Sequence, residues 1–215
     1  SVELSRFFVL WRGSMKTKQL TFLLALTFLF LFSGSSVVFG DDLQDFQDAT
    51  DAYERKDYKE AHRLILPLAE QGFAGAQYNL GLMYNYGDGV PQDYQEAVRW
   101  YRLSAEQDYA FAQYKLGVMY GKGQGVPQDS KEAVRWYRLA AEQGDVDAQF
   151  NLGAMYGNGQ GVLQDYVLAH MWWNLSGSNG NKDAVKNRNI VEKRMTRQQI
   201  EEAQRLARNW KPKTK

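Results

Sequence analysis

The sequence predicts an all-α fold, an α/α superhelical solenoid of about four helix pairs with a C-terminal helical cap. Three observations predict it. The nine residues Ala76 to Tyr84 return as Ala112 to Tyr120 and again as Ala148 to Tyr156, at a step of 36 residues each time. A fixed period of this size marks stacked supersecondary units, each of which buries its apolar face on its neighbours. A second helical pattern precedes each copy, opening on Asp57, Asp93 and Asp129, and a glycine-rich connector with Val-Pro follows the first two copies. With 44% hydrophobic and 14% aromatic residues, the chain can pack such an array.

The first 40 residues stand apart. Met15-Lys16-Thr17-Lys18 is basic, and Leu20 to Phe32 is an uncharged Leu/Phe run of 13 residues. Ser33 to Ser36 break it, and Val38-Phe39-Gly40 offers a cut before Asp41. Residues 15–40 have the layout of a secretory signal peptide, which predicts an exported, periplasmic protein. An uncleaved anchor is the alternative, because extension to Phe39 approaches the ~20 residues that span a bilayer. Residues 1–14 read as sequence upstream of a start at Met15. The chain has no cysteine, which removes disulfides, thiolate metal sites and a lipid-anchoring thiol.

Residues 41–56, with Phe46, Ala49 and Tyr53, predict a helix that precedes the array. In the unit that follows Asp93, Asp93 and Glu96 predict a capping box, repeated by Asp57/Glu60 and Asp129/Glu132. Tyr94, Ala97, Val98, Tyr101 and Ala105 recur at 3–4 spacing, so a helix is predicted to about Gln107. Gly72, Asp108 and Gly144 hold the left-handed position after each such helix. The second helix is predicted over about 111–120, with Ala112, Leu116, Met119 and Tyr120 on its apolar face. Gly117 sits on that face, as do Gly81 and Gly153. A mid-helix glycine costs ~1 kcal/mol against alanine, so its recurrence predicts a close approach that a Cβ would block. The connector Gly121 to Gln128 follows a helix rather than a strand, and so predicts tight turns rather than a phosphate cradle.

These residues closely resemble Sel1-like repeats, a subclass of the tetratricopeptide-type solenoids. The matching unit runs Asp-Tyr-x-x-Ala-x-x-Trp-Tyr, Ala-Glu-Gln-Gly, Ala-Gln-Tyr-x-Leu-Gly-x-Met-Tyr and Gly-x-Gly-Val-Pro-Gln-Asp, and the array is placed at 57–181. The pattern frays at its ends. Residues 41–56 look like part of a tetratricopeptide-like unit, and Ser176 to Asn181 is expected to replace the usual continuation of its helix. Residues 182–215 read as a basic helical cap, with a capping box at Thr196/Gln199 and a stripe of Ile200, Ala203, Leu206, Ala207 and Trp210.

The resemblance implies a non-catalytic protein–protein interaction adaptor that presents a concave surface. It implies that the helix carrying Leu-Gly-x-x-Tyr lines that surface. The positions before Leu-Gly are therefore the candidate peptide-binding row: Tyr78 and Asn79, Tyr114 and Lys115, Phe150 and Asn151. Aromatic rings with amide and amine donors suit an extended peptide or its carboxylate. The alternative is that these aromatics pack between units. No cofactor or metal is expected, since His62 and His170 are the only histidines and lie three periods apart. No nucleophile motif is present, so a catalytic residue is not assigned. A β-lactamase-like hydrolase remains a remote alternative, because the Sel1-like proteins linked to β-lactams are cysteine-rich.

Charge is divided along the chain. Residues 182–215 hold 11 Lys/Arg and 4 Asp/Glu, whereas residues 41–181 hold 11 Lys/Arg and 20 Asp/Glu. The basic end is either a solvated cap or a contact with an anionic envelope surface or peptidoglycan. Trp100, Trp136 and Trp172 lead the glycan-binding alternative. Nucleic acid is not an expected partner.

Overall fold

The computed structural model describes residues 42–213. The expectations for residues 1–14 and 15–40 lie outside them. The chain divides into two units, Ser1–Gln47 and Asp48–Lys215, and the second carries the repeats. Among the described residues the structure is helical, with no strand. Helix α1 covers residues 42–54. Four pairs follow: α2 (Tyr58–Glu70) with α3 (Ala74–Tyr86), α4 (Tyr94–Glu106) with α5 (Ala110–Lys122), α6 (Ser130–Glu142) with α7 (Val146–Asn158), and α8 (Tyr166–Ser178) with α9 (Lys182–Glu192). Helix α10 (Arg197–Asn209) closes the unit and packs on α8. No helix of the described residues is long and apolar enough to cross a membrane.

The first helix of each pair begins on an aspartate. Asp93 and Asp129 each accept from two helical amides, and Asp57 and Asp165 from one. The expected reciprocal half of the capping box is missing. Glu60, Glu96 and Glu132 turn forward to Arg63, Arg99 and Arg135 one turn on, at 2.7, 3.1 and 3.1 Å. An arginine three residues ahead offers a charged partner on the helix surface, which the cap's backbone amide does not. Among the described residues only Thr196 and Gln199 form the full box.

Three ladders hold one unit to the next. In the first, an aromatic ring of each unit covers the helical glycine of the unit before it. A Cβ on Gly81, Gly117 or Gly153 would lie 2.6, 2.5 or 2.7 Å from Tyr101, Tyr137 or Trp173. The close approach expected at these glycines is therefore between a backbone and a ring.

The second ladder is made by the glutamine of the recurring Ala-Gln. Gln77, Gln113 and Gln149 are buried, and each donates to the end of the preceding helix, at Ala69, Ala105 and Ala141, at 3.1–3.2 Å. Each of these carbonyls also accepts the backbone amide three residues on, from Gly72, Asp108 and Gly144, so the glutamine supplies a second bond at a helix end that lacks its i+4 amide. Gln107 and Gln143 then donate to the side-chain oxygens of Gln77 and Gln113, both at 2.8 Å. Asn179 stands at the next position and is one methylene shorter. It donates to Leu175 instead, and the Gln149 Oε1 is buried without a partner. The third ladder runs from Ser104 and Ser176 to the carbonyls of Ala74 and Val146.

Helix α8 does not break where the sequence pattern frays. It continues through Gly177 to Ser178, and Gly180 adopts a positive φ of +99°, as Gly72 and Gly144 do at +95° and +99°. Residues 182–213 form two helices with different neighbours. Helix α9 packs on α8 as a second helix of a pair, and α10 lays Ala203 and Ala207 inward. Trp210 meets Trp172 edge-on at 6.3 Å, and Lys213 bonds Glu142 through both its amide and its amine.

Candidate functional site

The six residues of the candidate row lie on α3, α5 and α7, and all are half-buried. Their rings and polar groups behave differently. Tyr78 packs against Tyr101, Tyr109 and Phe111 at 6.0, 5.4 and 6.1 Å. Tyr114 packs against Tyr137 at 6.1 Å, and Phe150 lies over the cluster of Ala169, Trp173, Ala184 and Val191. Asn79 lines one cleft, and Lys115 lines another together with the Tyr114 ring. The row is thus a set of rings wedged between units with polar residues beside them.

Three clefts mark this layer of second helices. The first, of about 160 Å³, lies between α1 and α3 and is lined by Ala49, Ile65, Asn79, Leu82 and Met83, among others, with Glu54 at its side. The second, of about 320 Å³, lies between α3 and α5, with Tyr86, Tyr114, Lys115, Val118, Met119 and Lys122 in its wall. Asn79, Leu82 and Met83 are 36 residues before Lys115, Val118 and Met119, so the two clefts are the same feature one repeat apart. The third, of about 230 Å³, lies between α7 and α9 and takes Ala154, Asn158, Trp173, Ile190 and Arg194. The backbone provides a cleft at each of these steps, and the side chains make each one chemically different.

The electrostatics of the row vary from unit to unit. Lys115 reaches the rings of Tyr86 and Tyr114, at 5.8 and 6.0 Å. Burial, helped by Tyr109, Tyr86, Asp145 and Tyr114, pushes the Tyr78 phenol up to about 12. Burial also raises Tyr114, as do Asp147 and Asp145, while a hydrogen bond with the Asn151 side chain opposes the shift. Burial raises the Asp145 carboxyl above its ordinary value and Asp147 adds to this, while the backbone amides of Ala148 and Asp147 and then the Lys115 charge oppose the shift. Both phenols therefore remain protonated near neutral pH.

Sequence reasoning missed Tyr86, Lys122 and Asn158, one on each of α3, α5 and α7. They stand seven residues after Asn79, Lys115 and Asn151, two turns along the same helix face, and that spacing was the signal available. It also missed the Tyr109 and Phe111 rings against Tyr78. Phe111 and Tyr86 are 55% and 57% exposed, a large fraction for aromatic side chains.

Other candidates have structural surroundings. Trp100, Trp136 and Trp172 are buried, with Arg99 and Arg135 over the first two, so no indole face is open for stacking on a sugar. His62 meets Tyr84 edge-on, and the buried His170 pairs with Glu192 at 2.7 Å, which ties α9 to α8. Among the described residues no three His, Asp or Glu gather as metal ligands.

The Sel1 repeat family model matches residues 74–109, 110–145 and 146–181. Among solved structures, a protective antigen of uropathogenic Escherichia coli with an SLR fold is 35% identical. It superposes with a TM-score of 0.73 over 80% of this chain and 38% of its own length. A Sel1 repeat protein from Oxalobacter formigenes is 32% identical, with a TM-score of 0.65 over 67% of this chain and 60% of its own. The chain thus spans less than two thirds of either relative. No curated protein matches it.

Proposed function

Because the chain belongs to the Sel1 repeat family, we propose that it is an exported, non-catalytic adaptor that binds a partner protein or peptide on the second-helix face. Proteins of this family generally mediate protein–protein interactions and serve as non-catalytic scaffolds. The observation that carries the reading is the pair of repeat-equivalent clefts on α3 and α5, which places half-buried donors beside apolar walls in register. Such a surface is preformed, so a partner docks with little ordering cost on this side of the interface. Export to the periplasm rests on the layout of residues 15–40, and the concave shape of the binding face rests on the family resemblance.

A photo-crosslinking amino acid at position 115 in living cells tests the binding face. One dominant protein adduct, lost when Asn79 and Asn151 are changed to alanine, is the expected result. The same adduct pattern from a probe at Arg99, on the opposite helix layer, would refute it.

The charge division supports a second, independent contact of the basic C-terminal end with an anionic envelope surface. Sedimentation with purified peptidoglycan that is lost in high salt is the expected result. Binding unaffected by salt would overturn it.

A further inference from the structure

The α1/α3 and α3/α5 clefts occupy equivalent places and have opposite chemistry. The first is walled by Ala49, Ala61, Ile65, Leu82 and Met83. Its volume of about 160 Å³ is close to that of apolar cavities that take a benzene-sized group, roughly 150 Å³. It therefore accommodates one Leu, Ile or Phe side chain. The Asn79 amide at its wall can donate to and accept from a peptide backbone. Glu54 beside it disfavours an acidic group at this end.

The second cleft holds Lys115 and Lys122, together with Asn85, Gln92 and Gln124, and no acid lines it. Two lysines on one cleft wall stand out in residues 41–181, where acids outnumber bases 20 to 11. The rings of Tyr86 and Tyr114 narrow the space around the Lys115 amine. An anionic side chain entering here would meet two ammonium groups and several amides.

Resting on the adaptor reading above, we infer that the partner is an extended peptide segment with a defined two-point motif. One apolar side chain enters the α1/α3 cleft, and an Asp or Glu of the same segment enters the α3/α5 cleft. Neighbouring helices of one layer lie about one helix diameter apart, roughly 10–12 Å. An extended chain advances about 3.3 Å per residue and its side chains alternate between two faces, so an acid on the anchor's own face at this distance stands four positions away, about 13 Å along the chain. The motif is apolar-x-x-x-acid or, with the chain running the other way, acid-x-x-x-apolar. The fold provides the clefts, and the residues at 79, 82, 115 and 122 select the occupant.

The test is selection from a phage-displayed library of random dodecapeptides on the purified chain, followed by fluorescence anisotropy with synthetic peptides. Enriched peptides are expected to share an apolar residue and an acid at that spacing. Replacing the apolar residue of the peptide by alanine should weaken binding about tenfold or more. Lys115→Glu with Lys122→Glu should weaken it about three- to tenfold, and a peptide with Lys in place of its acid should recover the loss. Both substitutions are at the surface of the cleft, and an unchanged thermal melt verifies the fold. Enriched peptides with another pattern, or binding indifferent to the charge swap, overturn the motif. If position 115 still crosslinks a protein in cells, the adaptor reading survives that result. No enriched peptide and no adduct from position 115 overturn both.

Discussion

Gly117→Ala is expected to destabilise the repeat unit even though it replaces a mid-helix glycine. Two effects oppose each other. Alanine raises helix propensity by about 1 kcal/mol. The new Cβ would lie 2.5 and 2.6 Å from Cδ1 and Cε1 of Tyr137 and 3.0 Å from its Cγ, where carbon atoms prefer about 3.5–4.0 Å. The ring has to move by roughly 1 Å to restore contact distance. It cannot do so by swinging its tip, because the clash includes the atom attached to Cβ. Tyr137 is buried among Val134, Ala141 and Leu152, with Tyr114 against its face. Overpacking of this kind costs about 1–3 kcal/mol, so after the propensity gain the net loss is up to about 2 kcal/mol for alanine and larger for valine.

Gly121→Ala is the internal control. It lies one turn further along α5, and its Cβ would find only Tyr137 Oη at 3.7 Å and Ala133 Cβ at 3.8 Å, both ordinary contacts. It should gain a few tenths to about 1 kcal/mol, reduced by its place in the last turn. Urea unfolding followed by far-UV circular dichroism reports both variants, with the slope checked for constancy. A Gly117→Ala midpoint raised as much as that of Gly121→Ala would refute the ring-on-backbone account.

Three further outcomes follow from the ladders and caps. Asn179→Gln should stabilise the protein by about 0.5–1.5 kcal/mol, because a glutamine there can reach the orphaned Gln149 Oε1 as Gln143 reaches Gln113; an unchanged melting temperature would contradict this. Asp129→Ala removes the acceptor for two helical amides and should cost about 1 kcal/mol in urea unfolding, whereas Ser130→Ala should leave the midpoint nearly unchanged. Asp145→Asn should stabilise the protein at neutral pH, since Asn can also cap α7. Burial raises the folded-state pKa of Asp145, so its charge opposes folding above that pKa, and the opposition fades as pH falls below the unfolded value near 3.9. The difference between wild type and Asp145→Asn should therefore close by about pH 3 in thermal melts; a gap that widens on acidification would reverse the assignment.

Much of the fold was legible because a repeat states each local rule several times. Asp93, Asp129 and Asp165 cap their helices as the spacing requires, and Ala97, Val98, Tyr101 and Ala105 form one buried stripe. Gly117 could be singled out because its cost in a helix is paid again at Gly81 and Gly153. The capping glutamates were misread because Glu96 has two short-range partners, and Arg99 is the charged one. The end of α8 was misread because Ser176 to Asn181 departs from the motif in side chains while keeping helix-compatible residues and the terminal Gly180.

The sequence by itself determined the period, the aspartate-capped start of each first helix and the face of each helix that turns inward, since these follow from propensity, capping and 3.6-residue spacing. Only the tertiary structure decided which half-buried polar residues line a cleft. Tyr78 and Lys115 both precede a Leu-Gly pair or stand one residue from it, and their helical positions differ by a single step. Yet the ring is held by Tyr109 and Phe111 from the next unit, while the amine lines a cleft with Tyr86 from the unit before. That difference depends on how far successive units are rotated and how large their neighbouring side chains are, a three-body property that no single helix carries.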